Sequence, residues 1–571
     1  MVLTVSKSKN STSLYITKSE RVNGKPSSRV IEKLGTVAEL AEKLEGRDPI
    51  EWAQERVAEL NRLEKEGTRE IIVKYNPSQI IPKDDQRVYS GGYLFLQKIY
   101  YELGIDRICK RITDRYKFEY NLNSVLSRLV YGRMIYPASK LATNDLSKEF
   151  LEQPNFDLHH IYRSLDVLGD EMDFIQAELY KRSTKVIDRA VGVLYYDCTN
   201  YFFEIEQEEN LKQYGYSKEH RPNPIVQMGL FMDGNGIPLA FSISSGDTNE
   251  QTTLKPLEKK ILSDFNLSKF VVCTDAGLSS LDNRKFNDIG ERAFITTQSV
   301  KKLKSYLKEW ALDLKGWRLV GSDELYDIFE IDEEEHKEST FFKEQWINDD
   351  NLEQRLIVTY SVKYKNYQRR IRENQILRAE KLIATNPNKL KKANQNDYKR
   401  FISTVSTTDE GVVAENDIYY INNSTIEDEE VFDGIYAVCT NLEDNISSIV
   451  EINHRRWEIE ECFRIMKHEF KARPVYLRLD ERIKAHFLTC FISLLIYRIL
   501  EKKLNEEFTC HQIIKELPAI RFLEVQDEGY IPAYTRTDFT DALHEAFGFR
   551  TDYEILTNRY MKEIYKMTKK S

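Results

Sequence analysis

The chain has 571 residues and is 41% hydrophobic, which is enough for several buried cores and excludes a largely disordered protein. Its formal net charge is −9, which does not favour non-specific binding to nucleic acid, because such binding depends on neutralising phosphates. The charge is unevenly distributed, however, so these numbers decide little about partners.

Acidic side chains concentrate between Asp323 and Glu335, and basic side chains concentrate between Lys363 and Arg400. The basic run is compatible with a solvated helix, because Glu373 and Glu380 partly pair it, and equally with a surface that contacts an anionic partner.

Residues 1–80 are predicted to form a β-hairpin with a turn at Asn23 to Pro26, followed by a helix. Residues 81–188 show helical periodicity, and Arg128, Arg133 and Lys140 lie on or beside one of the predicted helices. This second region is either a helical packing domain or a DNA-binding domain. No helix-turn-helix signal is sharp enough to name a recognition helix.

Two apolar strands each end by presenting an aspartate. Val191 to Asn200 contains Asp197, and Lys269 to Gly277 contains Asp275. Between them, the runs 224–231 and 237–244 are joined by Asp-Gly and Asn-Gly steps that are typical of a hairpin. Either aspartate alone is most simply a turn or capping residue. The order of elements is that of a ribonuclease-H-like core with a mixed sheet, spanning residues 189–300.

One helix is predicted over 453–467. At about 100° per residue, Arg456, Glu460 and Lys467 share one face of it. A second stripe, Ile459, Phe463, Met466 and Phe470, would hold the helix against a core. Alone, the first face is a solvated salt-bridge surface. Together with the two aspartates at strand ends, Glu460 on this face makes a set of three carboxylates, which is less ordinary than a salt-bridge surface.

The segment 301–432 is too long for a loop, and its alternating runs predict a β-rich insertion that contains the basic helix. Segment 433–500 would complete the core, beginning with a return strand at Ile435 to Thr440, and 501–571 is predicted to be helical. The apolar run 485–500 is interrupted by polar residues and is shorter than the roughly 20 residues of a membrane span. We therefore expect a core helix there and no membrane partner.

Seven cysteines are scattered without a C-x-x-C pair, which argues against a zinc module and predicts reduced core thiols in a cytosolic protein. The N-terminus lacks the apolar stretch of a signal peptide. The expected localisation is therefore cytoplasmic.

The ordered set Asp197-Cys198-Thr199, Thr274 to Gly277, and Asn453, Arg456, Glu460 and Lys467 resembles the motifs of DDE-type insertion-sequence transposases. The resemblance is to the group four branch, whose signature is Y-(2)-R-(3)-E-(6)-K, and it covers roughly residues 190–500. The signature tyrosine is Asn453 here. The resemblance implies an α+β or α/β multidomain protein, with a ribonuclease-H-like core interrupted by the β-rich insertion.

The implied function is to bind the terminal inverted repeats of an insertion sequence, cleave DNA at its ends and join the 3′-OH ends to target DNA. Residues 81–188 would recognise the repeats. Asp197, Asp275 and Glu460 would be the catalytic residues and the ligands of two Mg²⁺ ions, with Mn²⁺ as a substitute. The expected DNA contacts are Arg456, Lys467, Arg464, Asn453 and Thr199. The partner would be double-stranded DNA, the active complex a homodimer, and the bound protein nucleoid-associated.

Some relatives use an aromatic residue of the insertion to stack a flipped base while a DNA hairpin forms. Trp310, Trp317 and Trp346 are the tryptophans available here, although core packing is the simpler role for each. Two other functions stay open from the sequence: a ribonuclease-H-like DNA nuclease without transposition, and a catalytically silent DNA-binding regulator.

Overall fold

A computed structural model of the chain describes residues 1–8, 11–22, 25–44, 47–67, 71, 76–322, 324–385, 396–407 and 413–570. The predicted turn residues Asn23 and Gly24, the acidic Asp323 and residues 386–395 of the basic run lie outside this set. The described chain divides into two units. One comprises residues 1–85 and 525–528, and the other comprises the remaining residues.

The N-terminal unit is a three-stranded antiparallel sheet followed by two helices, so the predicted hairpin and helix are confirmed and one further strand precedes them. Leu14, Leu40 and Ala53 are buried at its small core. The elements are β1 (Val2–Lys7), β2 (Thr12–Val22), β3 (Lys25–Thr36), α1 (Val37–Lys43) and α2 (Pro49–Gly67).

The larger unit begins with a short strand and six helices, as the periodicity predicted. These are β4 (Val88–Ser90), α3 (Tyr93–Glu102), α4 (Ile105–Tyr116), α5 (Leu122–Ile135), α6 (Lys140–Leu146), α7 (Leu158–Asp170) and α8 (Met172–Ser183). Most of α5 is buried, including its polar Arg128 and Arg133. A helix that is covered on all sides is part of a core rather than a free recognition surface.

Five strands form a mixed sheet in the order β7-β6-β5-β8-β9. β5 is antiparallel to β6, β6 is antiparallel to β7, and β5, β8 and β9 run parallel. This is the predicted ribonuclease-H-like arrangement. Its elements are β5 (Val193–Phe202), β6 (Ile225–Asp233), β7 (Pro238–Ser245), α9 (Leu254–Asp264), β8 (Val271–Thr274), α10 (Leu281–Phe286) and β9 (Ala293–Gln298).

The inserted strands continue the same sheet, so that it reaches ten strands in the order β11-β10-β12-β13-β16-β9-β8-β5-β6-β7. The predicted return strand is confirmed as β16, whereas the strand predicted over 326–331 is reduced to the two residues of β11. The elements are α11 (Ser305–Leu312), β10 (Trp317–Leu319), β11 (Leu325–Tyr326), β12 (Thr340–Asp349), β13 (Leu352–Ser361), α12 (Val362–Thr385), β14 (Ile402–Thr407), β15 (Val413–Ile421), α13 (Asn423–Glu430) and β16 (Ile435–Thr440).

The chain ends in helices and a small sheet ordered β19-β18-β17-β4, so the region predicted to be helical also contains three short strands. The elements are α14 (Ile446–His454), α15 (Trp457–Arg464), a π-helical turn (Ile465–Glu469), α16 (Asp480–Lys503), α17 (Cys510–Glu516), β17 (Arg521–Val525), β18 (Gly529–Pro532), α18 (Asp538–Phe547), β19 (Leu556–Thr557) and α19 (Asn558–Thr568).

Within the described residues, α16 is the one helix that is long and apolar enough to cross a membrane. Its apolar window is 94% buried, and the helix packs against α5 and α7. The predicted core helix is therefore confirmed. All seven cysteines are buried free thiols, as the sequence predicted.

Candidate active site

The ends of two parallel strands bring Asp197 and Asp275 to the same edge of the sheet. β5 and β8 are paired from Val193–Val271 through Tyr196–Thr274, and each aspartate is the next residue after that last pair. Residues at matching positions on neighbouring parallel strands are about 4.8 Å apart and project to the same face. The sequence order alone could not establish this register.

Asp275 also has a structural task. Its Oδ1 accepts a 3.1 Å hydrogen bond from the Leu278 backbone N–H and caps a short 3₁₀ turn, as is typical of aspartate in this position. The buried Thr274 hydroxyl donates to the Thr296 hydroxyl at 3.0 Å on β9. The strand end that carries Asp275 is thus fixed on both sides.

Asp197 is half-buried, and its Oδ1 accepts a 2.7 Å hydrogen bond from the Cys198 backbone N–H. Burial raises the pKa of Asp197 to about 7, and the neighbouring Asp275 carboxylate adds to that rise, while Lys218 opposes it. Both raising causes disfavour a second negative charge at this edge. A cation bound beside both carboxylates would relieve this penalty.

The single helix expected over 453–467 is wrong. Asn453 lies near the end of α14, and the helix is interrupted at Arg455 and Arg456. α15 follows, and the π-helical turn after it carries Lys467. The predicted apolar stripe is nevertheless buried: Ile459, Phe463, Met466 and Phe470 are all at most 5% exposed. Burial of this stripe fixes the segment although its helical periodicity is interrupted.

Arg456 interacts with all three carboxylates. It forms an ion pair with Glu460 at 3.5 Å, one turn further along the chain. Burial alone would lower the pKa of the Arg456 guanidinium, yet that pKa is raised. The groups that raise it are Tyr436, Asp275, Glu460 and Asp197. The Glu460 side chain is 60% exposed, so of the three carboxylates it is the one open to solvent.

Lys467 contacts the strand that carries Asp197. Its Nζ donates a 2.6 Å hydrogen bond to the Thr199 hydroxyl on β5 and is 3.9 Å from Glu219. Burial lowers the pKa of Lys467 to about 8, and the Lys218 ammonium lowers it further, while Asp197 opposes both effects. The ammonium is thus held close to the Asp197 strand and keeps little of its own hydration.

Two further residues belong to this site and were not predicted. Lys218 donates from Nζ to the Cys198 carbonyl oxygen at 2.6 Å and pairs with Glu250 at 3.3 Å. It lies in the irregular segment between β5 and β6, where no periodicity marked it. The other is Tyr436, whose hydroxyl accepts from Asn453 Nδ2 at 3.2 Å and shares a 2.5 Å hydrogen bond with the Thr297 hydroxyl.

Several other candidates lie elsewhere. Arg464 pairs with Glu461 at 3.2 Å and is half-exposed, and no described contact brings it to the aspartates. Trp317 is fully buried and donates to the Asp313 carbonyl oxygen, whereas Trp346 is 47% exposed on β12. In the basic helix α12, Lys365 pairs with Glu333 at 2.7 Å, so the acidic and basic stretches of the insertion neutralise each other in part.

The donor set at the sheet edge suits a hard divalent cation, which prefers carboxylate oxygens. The raised pKa of Asp197 agrees with this fit, because burial and the Asp275 carboxylate outweigh the lowering effects of Lys218 and Arg456, so a bound cation would stabilise the ionised form. The three carboxylates do not form one compact group. The described chain has two sets of three ligand atoms within 4.8 Å of one another, and both are elsewhere: Asp157, His159 and His160, and Asp541, His544 and Asp552.

Comparison with known families decides the identity. The family model described as "Transposase DDE domain" matches residues 202–496, just over half of the chain. The chain belongs to the DDE transposases. The model for the N-terminal domain of IS1634 family transposases matches residues 3–71, which makes this an insertion-sequence transposase. The protein is thus an enzyme that cleaves and joins DNA, from a family that generally uses divalent metal ions.

The transposase also resembles a solved structure described as a piggyBac transposase synaptic complex with hairpin DNA. The identity is 9%, the TM-score is 0.35, and the match covers 83% of this chain and 84% of that one. No curated protein matches the transposase. The DDE domain match begins at residue 202, after Asp197, so the assignment of Asp197 depends on the strand register described above.

Proposed function

We propose that this transposase binds the terminal inverted repeats of its insertion sequence, cleaves the ends and joins the 3′-OH ends to target DNA at the Asp197–Asp275 sheet edge. The observation that carries the proposal is the strand register that brings Asp197 and Asp275 to one sheet edge. Arg456, which pairs with Glu460 at 3.5 Å and whose pKa both aspartates raise, supports a single site built from three chain segments.

Asp197, Asp275 and Glu460 would hold two Mg²⁺ ions, or Mn²⁺ in their place, and these ions would supply charge stabilisation for the attacking and leaving oxygens. Glu460 is exposed and paired with Arg456, so it can turn toward the aspartates once Arg456 is engaged by a phosphate. The ion pair thus keeps Glu460 near the site without DNA.

Arg456 and Lys467 would grip DNA phosphates near Asp197. A guanidinium suits this task because it offers two parallel N–H donors, and the partly desolvated Lys467 ammonium is a point charge beside Thr199. Asn453 would contribute to DNA binding through its hydrogen bond to Tyr436, and Thr199 through the hydrogen bond that it accepts from Lys467. Arg464 is the weakest member of the proposed DNA-contact set, because its partner is Glu461.

The proposal extends to the assembly and the division of the chain. Paired element ends require a homodimer in the active complex, acting on double-stranded DNA in the cytoplasm and associated with the nucleoid when bound. The proposed domains are 1–80, 81–188 for repeat recognition, the core in two parts at 189–300 and 433–500, the insertion at 301–432, and the C-terminal region at 501–571.

The deciding experiment is an assay of Mg²⁺-dependent cleavage and strand transfer on DNA that carries the inverted repeats flanking the gene. Cleavage with joining to target DNA supports the proposal. Cleavage without joining indicates a nuclease, and end binding without cleavage indicates a regulator. A slow, terminally closed product on a denaturing gel would reveal a hairpin route, and open nicked ends alone would exclude it.

A further inference from the structure

A cavity lies between the α5–α6 region, α16 and the loop that follows the π-helical turn. Its volume is about 420 Å³, which is in the range of small-molecule sites. Its polar lining includes Arg133, Lys140, Tyr162, Lys471, Arg473 and His486. None of the described residues that line it is an aspartate or a glutamate.

Lys140 is the unusual member of this lining. The residue is 6% exposed, and its Nζ is buried without a hydrogen-bond partner in the structure. A buried ammonium without a partner costs several kcal/mol unless an anion or polar group completes it. An unpaired cation that borders a cavity is therefore suited to binding an anion.

The neighbours of Lys140 reinforce the positive charge and are themselves fixed. Arg133 Nη1 donates to the Phe470 carbonyl oxygen at 3.0 Å, and His486 Nε2 contacts the Ala472 carbonyl oxygen at 3.0 Å. Burial lowers the pKa of Lys140 to about 7, and Arg133 lowers it further. Arg473 is already paired with Glu219, so the cavity's cations without a described acidic partner are Lys140, Arg133 and the exposed Lys471.

We propose that this cavity binds a phosphate group, with Lys140 as the principal ligand and Arg133 as a second cation beside it. A phosphate offers several acceptor oxygens and a charge that two adjacent cations can neutralise. The source is either the backbone of a bound DNA strand or a free phosphate. If the phosphate belongs to DNA, this inference rests on the proposed function. Binding of free phosphate does not depend on it.

The first test is calorimetric titration of the full-length protein with inorganic phosphate at pH 6.5. We expect the wild-type protein to bind phosphate at this cavity, Lys140→Met to bind it there at least tenfold more weakly, and the control Lys148→Met, whose exposed side chain lies near the same helix, to bind it unchanged. Because Lys140→Met removes an unpaired buried charge, its Tm in phosphate-free buffer should equal or exceed that of the wild type. A purely structural lysine would instead give a lower Tm.

Leu141→Glu is a second variant that does not depend on a buried substitution. Leu141 is 55% exposed and lines the cavity, so a carboxylate there should weaken phosphate binding while the protein stays folded. The Glu460→Gln protein should bind phosphate normally, which separates failure of this inference from failure of the proposed catalytic site.

The source is identified by a parallel titration with duplex DNA at several salt concentrations. If the phosphate belongs to DNA, Lys140→Met lowers DNA affinity and reduces the salt slope by about one. If the ligand is free phosphate, only the calorimetric affinity changes. The inference is overturned if Lys140→Met and Leu141→Glu bind both phosphate and DNA as the wild type does, or if Lys148→Met has the same effect as Lys140→Met.

Discussion

Lys467 Nζ donates a 2.6 Å hydrogen bond to the Thr199 hydroxyl, and this contact ties the π-helical turn to the strand that carries Asp197. The two residues are 268 positions apart in the chain. The contact brings a cation of the C-terminal part of the core to the sheet edge where the two aspartates lie. The sequence predicts both residue types but not this pairing.

The low pKa of Lys467, about 8, predicts a pH-dependent affinity for DNA. The ammonium is mostly charged at pH 7, and only about a tenth is charged at pH 9, so DNA affinity should fall by up to about tenfold between these values. The Lys467→Arg variant keeps its charge at both pH values, so its DNA affinity should fall less than twofold between them. Fluorescence anisotropy in metal-free buffer, with labelled DNA that carries the end of the element, measures these affinities. Equal pH responses of the two proteins would contradict the assignment.

Asp197 predicts a pH effect on stability. Its pKa is raised from 3.8 to about 7, so the folded protein holds the proton more tightly than the unfolded chain. The penalty for ionising Asp197 is absent below about pH 4, grows between pH 4 and 7, and is complete above pH 7. At about 1.4 kcal/mol for each tenfold change in proton affinity, it is at most about 4 kcal/mol.

Asp197→Asn removes this penalty. In the presence of EDTA, the variant should have a higher Tm than the wild type at pH 8, and the difference should shrink as the pH falls toward 5. Thermal unfolding followed by circular dichroism measures both. A difference in Tm that is the same at pH 5 and pH 8 would show that Asp197 does not titrate as described.

Tyr436→Phe tests the hydroxyl that joins Asn453 to Thr297. Its removal leaves both partners without a hydrogen bond in a partly buried place, at a cost of about 1–2 kcal/mol of stability. Tyr306→Phe, on an exposed tyrosine, is the matched control and should leave stability unchanged. Denaturant titration of the two variants compares them. Equal midpoints would mean that the Tyr436 hydroxyl contributes nothing to the site.

The strands of the core could be predicted because their apolar runs are long and end at clear turn signals. The predicted return strand 435–440 coincides with β16, and the hairpin of β6 and β7 is shifted by one or two residues only. The break at Arg455 and Arg456 could not be predicted, because the apolar stripe begins only at Ile459, after the break. A stripe of this kind reports which side is buried rather than whether the helix is unbroken.

The strand-end positions of two of the proposed carboxylates could be predicted from the sequence, whereas the residues near them could not. Asp197 and Asp275 follow recognisable strands. Lys218 lies in a segment without periodicity, and Tyr436 reaches Asn453 only because β16 adds to the sheet beside β9. Contacts of this kind depend on strand order, which no local pattern encodes. The inserted strands extend the core sheet because β13 pairs with β16 and β16 pairs with β9.

The most direct measurement of the central claim is strand transfer by Asp197→Asn, Asp275→Asn and Glu460→Gln on DNA carrying the flanking inverted repeats, with Mg²⁺ present. Glu451→Gln, on the exposed side of α14, is the control. We expect the wild type and the control to cleave and join DNA, and the three variants to bind the ends while losing cleavage by at least a thousandfold. Cleavage at the wild-type rate by any of the three variants would contradict its place among the catalytic carboxylates.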